Sequence, residues 1–421
     1  MSSTFTHPAH PSNGFDVVLG NPPFLNQVEN ATTVDTGLAN IARTITGSTA
    51  VRYTDISATF LLLSRNLLGE NARLSLVQPQ SLLAAKAAGP VRAELLSDST
   101  LTNLWVSNEH LFSASVFTCA PTILRGGPRQ FHMGRQHSAR FESLKPLNVD
   151  MDELAKKPSW AHLLAEASGI PMIDITSGGT IADLADTVAD FTEYYRLRGF
   201  IIDDPDLPAD ANLSEFPPLV TTGLIDLAAC KWGSQPTRIL KQKWKAPRVD
   251  RKRMFAEGTL DRWIDRRCIP KIILATQTKV IEVFVDEPGE YIASIPLITV
   301  MPNDLSQIWH IAAVLASPVT CALALRNYAG AALSAEAIKI SAKQTLTLPI
   351  PKPSHAWDTA AALLRDAQNN TDQQKRNDTL IRFAAATLEA FVVPTPQTQG
   401  LMTWWMDRLI GPPTKEAEHD R

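Results

Sequence analysis

The residues best suited to chemistry stand near the start of the chain, in the run Gly14-Phe15-Asp16-Val17-Val18-Leu19-Gly20-Asn21-Pro22-Pro23-Phe24. Phe15 to Leu19 is a short apolar run of the buried-strand type, and it ends in a turn, Gly20-Asn21-Pro22-Pro23. Pro22 and Pro23 fix φ and remove two N–H donors, so this backbone presents only carbonyl oxygens in a rigid loop. The amide oxygen of Asn21 and the carbonyl of Pro22 could together accept both hydrogens of an exocyclic amino group, whose lone pair would then point at an electrophile. The face of Phe24 could stack on the ring that carries the amine. An amine conjugated to a purine is a poor nucleophile, and two aimed acceptors raise its electron density without a strong base. The carboxyl end of a parallel strand is where open α/β sheets place their ligands.

The elements that must position this loop follow in order. Tyr53 to Leu68 has helical apolar spacing and closes at Gly69, and Arg73 to Val77 is a second apolar strand ending in a turn at Pro79. A helix over Val91 to Leu96 and strands over Leu101 to Val106 and Phe117 to Leu124 complete a unit that Gly126-Gly127 closes. Strands alternating with helices predict the α/β class, with a mainly parallel sheet and helices on its faces. Phe131 to Pro171 reads as a linker with one helix around Ser159 to Ala167. Beyond it, strand-like runs (Lys271 to Ala275, Val280 to Val285, Ile292 to Val300) mix with a helix over Ile308 to Ala316. Trp357 to Ala367 and Asp372 to Phe391 have amphipathic helical spacing.

The chain has 421 residues, 44% hydrophobic and 20% charged, which predicts a folded, soluble protein of two or three domains. Its 29 prolines show no triplet period, which excludes collagen-like repetition. Cys119, Cys230, Cys268 and Cys321 are far apart, and the nine histidines lack ligand spacing, so reduced structural thiols and no metal are expected. The opening residues lack a signal-peptide pattern and no stretch reaches ~18 uncharged apolar residues, so neither secretion nor membrane spanning is expected, and the cytoplasm is the expected compartment.

A net charge of −3 hides a segregation. Asp150 to Glu215 holds 14 acidic and 4 basic residues, whereas Cys230 to Lys271 holds 13 basic and 4 acidic ones. A basic block interleaved with Trp232, Trp244 and Trp263 suits phosphate contact combined with flat stacking surfaces; a solvated basic face is the alternative.

The Asn-Pro-Pro-Phe loop and the strand before it resemble the catalytic motif of the N6-adenine DNA methyltransferases. Tyr53-Thr54-Asp55, the segment Gly69 to Pro79, His110-Leu111-Phe112 and Val116 to Ile123 are similar to the family's later segments. The resemblance implies S-adenosylmethionine as methyl donor, Asn21, Pro22, Pro23 and Phe24 as catalytic residues, and an extruded base stacked between Phe24 and Phe112, with Phe117 as the second choice. Asparagine rather than serine at position 21 favours adenine, or a protein glutamine amide, over cytosine. The family's glycine-rich turn and the acidic residue for the ribose normally precede this motif, and only 20 residues precede Asn21. The S-adenosylmethionine pocket is therefore expected to be mostly missing. A split or permuted enzyme completed by a second polypeptide, a start that lies upstream, and a degenerate remnant all remain open. Ile173 to Thr180, with Gly178-Gly179, lacks the Gly-x-Gly spacing and reads as an ordinary turn.

Thr180 to Ala185, followed by Phe191, Tyr194 and Tyr195, looks like the opening of target-recognition domains in restriction-modification methyltransferases, and Ile269-Pro270-Lys271-Ile272 resembles their strand that meets the DNA backbone. The expected organisation is a partial Rossmann-like methyltransferase sheet (1–130), a linker with a helix (131–173), an α+β target-recognition domain (174–353) and a helical tail (354–421). Lys231, Trp232, Lys241, Lys243, Lys245, Arg248, Arg251, Lys252, Arg253, Arg266, Arg267 and Lys271 are the expected contacts to double-stranded DNA. Arg248, Arg251, Arg253 and Arg266 are the candidates for reading guanine edges. Trp232 and Trp244 are stacking candidates with a core role as the alternative, and Trp309, Trp357, Trp404 and Trp405 are assigned to packing. The implied activity is site-specific DNA adenine-N6 methylation in a restriction-modification or phage-defence system, with a partner nuclease or a cofactor-binding polypeptide. A DNA-binding specificity subunit or inactive remnant, and a protein glutamine methyltransferase, are the alternatives.

Overall fold

In the computed structural model the described residues are 14–24, 56–107, 109, 111, 116–157, 159–165, 169–328 and 337–410. The chain divides into two compact units, Met1–Ile170 with Leu325–Ala335, and Pro171–Ala324 with Glu336–Arg421.

The first unit is built on strands β1 (Phe15–Gly20), β2 (Leu68–Leu76), β3 (Gln78–Pro79), β4 (Ser99–Val106), β5 (Thr118–Arg125), β6 (Gln130–His137) and β7 (Glu142–Asp150), with helices α1 (Ile56–Arg65), α2 (Ser81–Ala84), α3 (Gly89–Leu95), α4 (Met151–Lys156) and α5 (His162–Ala165). The sheet order is β1-β2-β5-β4-β6-β7, with β3 beside β5. Only β1 with β2 and β4 with β6 run parallel, so the sheet is mixed rather than mainly parallel. The segment from β4 to β5, residues 107–117, is too short for a helical crossover, so β5 returns antiparallel between β2 and β4.

Ala58, Leu61 and Leu62 of α1 recur at helical spacing and share one core with Leu74, Leu76, Val91, Leu95, Leu104 and Ile123. The alternate residues of the strands, Val17, Leu19, Arg73, Ser75, Asn103, Trp105 and Thr122, line a cavity of about 680 Å³. The first strand is thus not buried as its composition predicts. Among the described strands it pairs only with β2, and Phe15, Val17 and Leu19 are 49%, 57% and 74% exposed.

The expected linker over 131–173 also differs. It holds most of β6, then β7, α4 and α5, and Met133, Val149, Met151, Leu154 and Trp160 join the first unit's core. A buried cation, Arg135, stands among the inward-facing positions of β6 and masked the alternation in the sequence.

The second unit contains β8 (Ala185–Val188), α6 (Phe191–Arg196), β9 (Ile201–Asp203), β10 (Thr237–Ile239), β11 (Gln242–Trp244), β12 (Pro247–Val249), α7 (Arg251–Ala256), α8 (Asp261–Asp265), β13 (Lys271–Ala275), β14 (Glu282–Asp286), β15 (Ile298–Pro302) and α9 (Ile308–Ala316). An antiparallel sheet in the order β14-β13-β15-β8 forms its centre. Helices α10 (His355–Asn369), α11 (Gln373–Ala390) and α12 (Thr395–Ile410) follow. The expected helical tail is part of this unit rather than separate. The Trp357 indole donates to the His310 carbonyl at 3.0 Å, and the Gln368 amide bonds the Val285 N–H and C=O, each at 2.8 Å. No single helix among the described residues is long and apolar enough to cross a membrane.

Candidate functional site

Asn21 follows β1 directly, where the parallel ladder places Gly20 opposite Leu76 and the Val77 N–H donates to the Gly20 carbonyl at 3.0 Å. The loop therefore stands at the carboxyl ends of two adjacent parallel strands, the position that the sequence predicts for a ligand. Asn21 and Pro23 are exposed, while Pro22 and Phe24 are half-buried. A Cβ on Gly20 would lie 3.1 Å from the Leu76 side chain, so glycine lets the strand end pack closely on β2. The neighbouring turn is pinned from within. The Gln78 amide donates to the Ser57 carbonyl at 3.0 Å, and the Gln80 amide donates to the carbonyls of Ser107 and Thr118 at 2.7 and 3.2 Å. Phe117 is half-buried, and its carbonyl accepts the Gln80 N–H at 2.9 Å. Phe112, Tyr53-Thr54-Asp55 and His110 lie outside the described residues.

The glycine turn of the second unit opens no cradle for a cofactor. A Cβ on Gly178 would meet the Pro351 carbonyl at 2.7 Å, and the Thr180 N–H is taken by Asp183 at 2.7 Å, so Gly178-Gly179 is a filled turn. The Gly178-Gly179 turn thus does not fit the methionine or ribose of S-adenosylmethionine. They also hold no group of three or more metal-ligating side chains. Burial raises the thiols of Cys230 and Cys321 to about 11 and raises that of Cys119 further, which keeps them protonated and unreactive.

In the second unit the acidic segment and the basic block meet. Arg248 pairs with Asp204 and lies over the Trp232 ring at 4.5 Å, and Arg267 holds Asp190 with bonds of 2.6 and 2.7 Å. Lys231 pairs with Asp226, Arg251 with Asp265, Arg253 with Glu257, and Lys252 reaches Glu215 at 3.9 Å. Arg266 turns back to the Arg262 carbonyl at 3.0 Å. Lys271 departs most from its expected place. It is fully buried, with its ammonium 2.6 Å from Asp286 and 3.1 Å from the Ile269 carbonyl, so it offers nothing to a phosphate. Burial lowers the pKa of that ammonium and the Asp286 carboxylate opposes the shift. Arg248 is likewise buried, which removes it as a reader of base edges. The Trp232 indole donates to the Pro247 carbonyl at 2.8 Å, and Trp232 and Trp244 pack against apolar cores, the alternative role.

The cations left without a carboxylate partner among the described residues include Lys241, Lys243 and Lys245, together with Arg196, Arg198 and Arg238, which sequence reasoning did not select. Arg238, Lys241 and Lys243 share one hairpin. β10 and β11 pair Arg238 with Lys243 and Thr237 with Trp244, and a two-residue turn places Leu240 and Lys241 at φ 50° and 67°. Ile239 and Trp244 face the core, whereas Arg238 and Lys243 are exposed. A two-residue alternation of cations with apolar residues was the available signal, and the even spread of lysine and arginine through the block concealed it.

Residues 2–112 match the family model of Eco57I restriction-modification methylases. Among solved structures, the Type IIL restriction-modification enzyme MmeI in complex with DNA is 13% identical over 94% of this chain and 55% of its own, with a TM-score of 0.55. The type IIG restriction endonuclease BpuSI is 12% identical over 93% of this chain and 54% of its own (TM-score 0.37), and the Type ISP enzyme LlaGI is 10% identical over 85% and 35% (TM-score 0.43). The chain thus spans about half the length of MmeI and BpuSI. No curated protein matches it. The chain is therefore similar over residues 2–112 to the Eco57I restriction-modification methylases, and similar in fold to the restriction-modification enzyme MmeI.

Proposed function

We propose that this chain supplies the catalytic loop and the target-recognition portion of a DNA adenine-N6 methyltransferase of a restriction-modification system. The observation that carries the reading is the Asn21-Pro22-Pro23-Phe24 loop, exposed at Asn21 and Pro23, at the carboxyl ends of two adjacent parallel strands, within residues that match a methylase family. On this reading duplex DNA is held by the second unit and the target adenine is turned out of the stack. The Asn21 amide oxygen and the Pro22 carbonyl accept its two amino hydrogens, and the ring of Phe24, with Phe112 or Phe117 as the opposing surface, keeps the base in plane. Two acceptors aimed at one amine push electron density onto the nitrogen, which would take the methyl group as the donor's sulfur–methyl bond breaks to leave a neutral thioether, and would then release one amino proton to solvent.

S-adenosylmethionine is the proposed methyl donor. The outer edge of β1, which no described strand pairs, and the apolar side chains beside it support a cofactor-binding lobe that joins there, in the same or another polypeptide. An exposed, apolar, parallel edge strand is otherwise an aggregation hazard, because parallel strands normally lie covered on both faces.

The test is transfer of a labelled methyl group from S-adenosylmethionine to duplex DNA by the complete restriction-modification assembly. Asn21→Ala should lower turnover by about 10² to 10³ while DNA affinity stays within twofold. Wild-type turnover of the variant would sink the catalytic assignment. Methylation of a protein glutamine in place of DNA would favour the other amide-directed class.

A further inference from the structure

We propose that the β10–β11 hairpin and the exposed aromatic edge of α6 form one binding surface for a DNA strand carrying an unpaired base. Arg238, Lys241 and Lys243 take its phosphates, and Phe191 and Tyr195 stack on the base. The inference rests on the DNA reading above and adds which residues of the second unit meet the strand and how.

Three observations converge. First, the hairpin sets two cations against each other. With a two-residue turn and Ile239 opposite Gln242 next to it, Arg238 and Lys243 form the following, non-hydrogen-bonded pair, whose side chains stand closest. Like charges directly opposite destabilise a hairpin, and neither side chain has a carboxylate partner among the described residues, so an anion is the missing complement. Most other cations of the basic block are neutralised internally, which concentrates the free positive charge here.

Second, the turn is strained. Leu240 and Lys241 both adopt the left-handed conformation that two-residue hairpins normally give to asparagine and glycine. Lys241 thereby carries its ammonium at the tip of the hairpin at a conformational cost. Third, the tip is tied to α6, because the Leu240 N–H donates to the Tyr194 hydroxyl at 3.1 Å. From there a chain of edge-on rings runs outward: Tyr194 to Tyr195 at 5.2 Å, and Tyr195 to Phe191 at 5.4 Å. Tyr195 and Phe191 are 56% and 62% exposed, and Arg196 beside them is also exposed. Exposed aromatic rings beside unpaired cations are what a nucleic-acid strand with an accessible base requires, since the backbone takes the charge and the base takes the ring. An acidic peptide would satisfy the cations but leave the rings unused.

The test uses the 421-residue chain and fluorescence anisotropy with a labelled duplex of about 30 base pairs, in intact form and with one mismatched 2-aminopurine. The variant Arg238→Gln/Lys241→Gln/Lys243→Gln should flatten the dependence of log affinity on log salt by about 2 to 3, at about 0.9 for each phosphate no longer neutralised. The variant Phe191→Ala/Tyr195→Ala should keep the wild-type salt slope but lose about tenfold in affinity for the mismatched DNA, within the range for one stacked base. It should also lose the quenching of 2-aminopurine on binding. Both sets of side chains are exposed, and melting of each variant no lower than that of the wild type verifies its fold. A wild-type slope in the first variant, or wild-type quenching in the second, overturns the proposal while leaving the DNA reading intact. Absence of DNA binding by the wild-type chain at about 50 and about 200 mM salt overturns the DNA reading itself. Tighter binding to an RNA duplex than to DNA overturns the assignment of the strand as DNA.

Discussion

Lys271→Met is the sharpest test of how the second unit is held together. Lys271 and Asp286 are both fully buried, on neighbouring strands, with 2.6 Å between the ammonium and Oδ2. Asp286 also accepts the backbone N–H groups of Gly289, Glu290 and Tyr291 at 3.0, 3.0 and 2.9 Å, so it closes the turn that follows β14. Removing the ammonium leaves a buried carboxylate whose charge only backbone dipoles offset. Breaking a buried pair in this way costs about 3–5 kcal/mol. The three N–H donors that remain place the expectation at the lower end, about 3 kcal/mol. In Lys271→Met/Asp286→Asn the uncompensated charge is gone and one oxygen still accepts from the turn, so about half of the loss should return. Urea unfolding at pH 7 measures both variants, and salt titration of DNA binding provides the control. If Lys271→Met unfolds with the wild type and instead lowers the salt slope by about 1, the value for one neutralised phosphate, the buried-pair account is refuted.

Burial, with Asp226 adding and Lys231 opposing, raises the Glu282 carboxyl to about 8 from 4.5. Because its folded pKa lies above the unfolded one, its contribution is complete below about pH 4.5 and is lost as pH rises to about 8, on the order of a few kcal/mol. Glu282→Gln should therefore flatten the stability–pH curve across that window, and parallel curves for variant and wild type would contradict this. Lys241→Gly should stabilise the hairpin by about 1 kcal/mol by relieving its left-handed backbone and should also weaken DNA binding, so a melting scan and an anisotropy titration must move in opposite directions. Leu19→Ser, at a 74% exposed position, should leave unfolding within about 0.5 kcal/mol of wild type and reduce self-association seen by light scattering; a large loss of stability would show that β1 is covered.

Much of the local structure was legible in the chain. The helix over Ile308 to Ala316 and the strand over Lys271 to Ala275 form with the expected bounds, because each is apolar but for one residue, His310 in the helix and Lys271 in the strand. The loop at Asn21 follows a strand as expected, since two prolines cannot continue one. What failed was pairing. The buried Arg135 broke the apolar alternation of β6, Lys145 and Pro146 broke that of β7, and nothing local announces that two such strands extend a distant sheet. The buried appearance of Phe15 to Leu19 described what the strand can pack against, whereas its exposure in the structure reflects the lack of a neighbour on one side among the described strands.

Charge divides in the same way. Composition along the chain determined that an acidic segment precedes a basic, tryptophan-bearing one. Only the tertiary structure decided that Asp190, Asp204 and Glu215 reach Arg267, Arg248 and Lys252 and leave the hairpin of Arg238, Lys241 and Lys243 without a carboxylate partner among the described residues. The physical reason is range. Residue type and spacing set helices, strands and turns through contacts within a few residues, but neutralisation is settled by charges tens of residues apart that folding brings to within about 4 Å. No count along the sequence contains that distance.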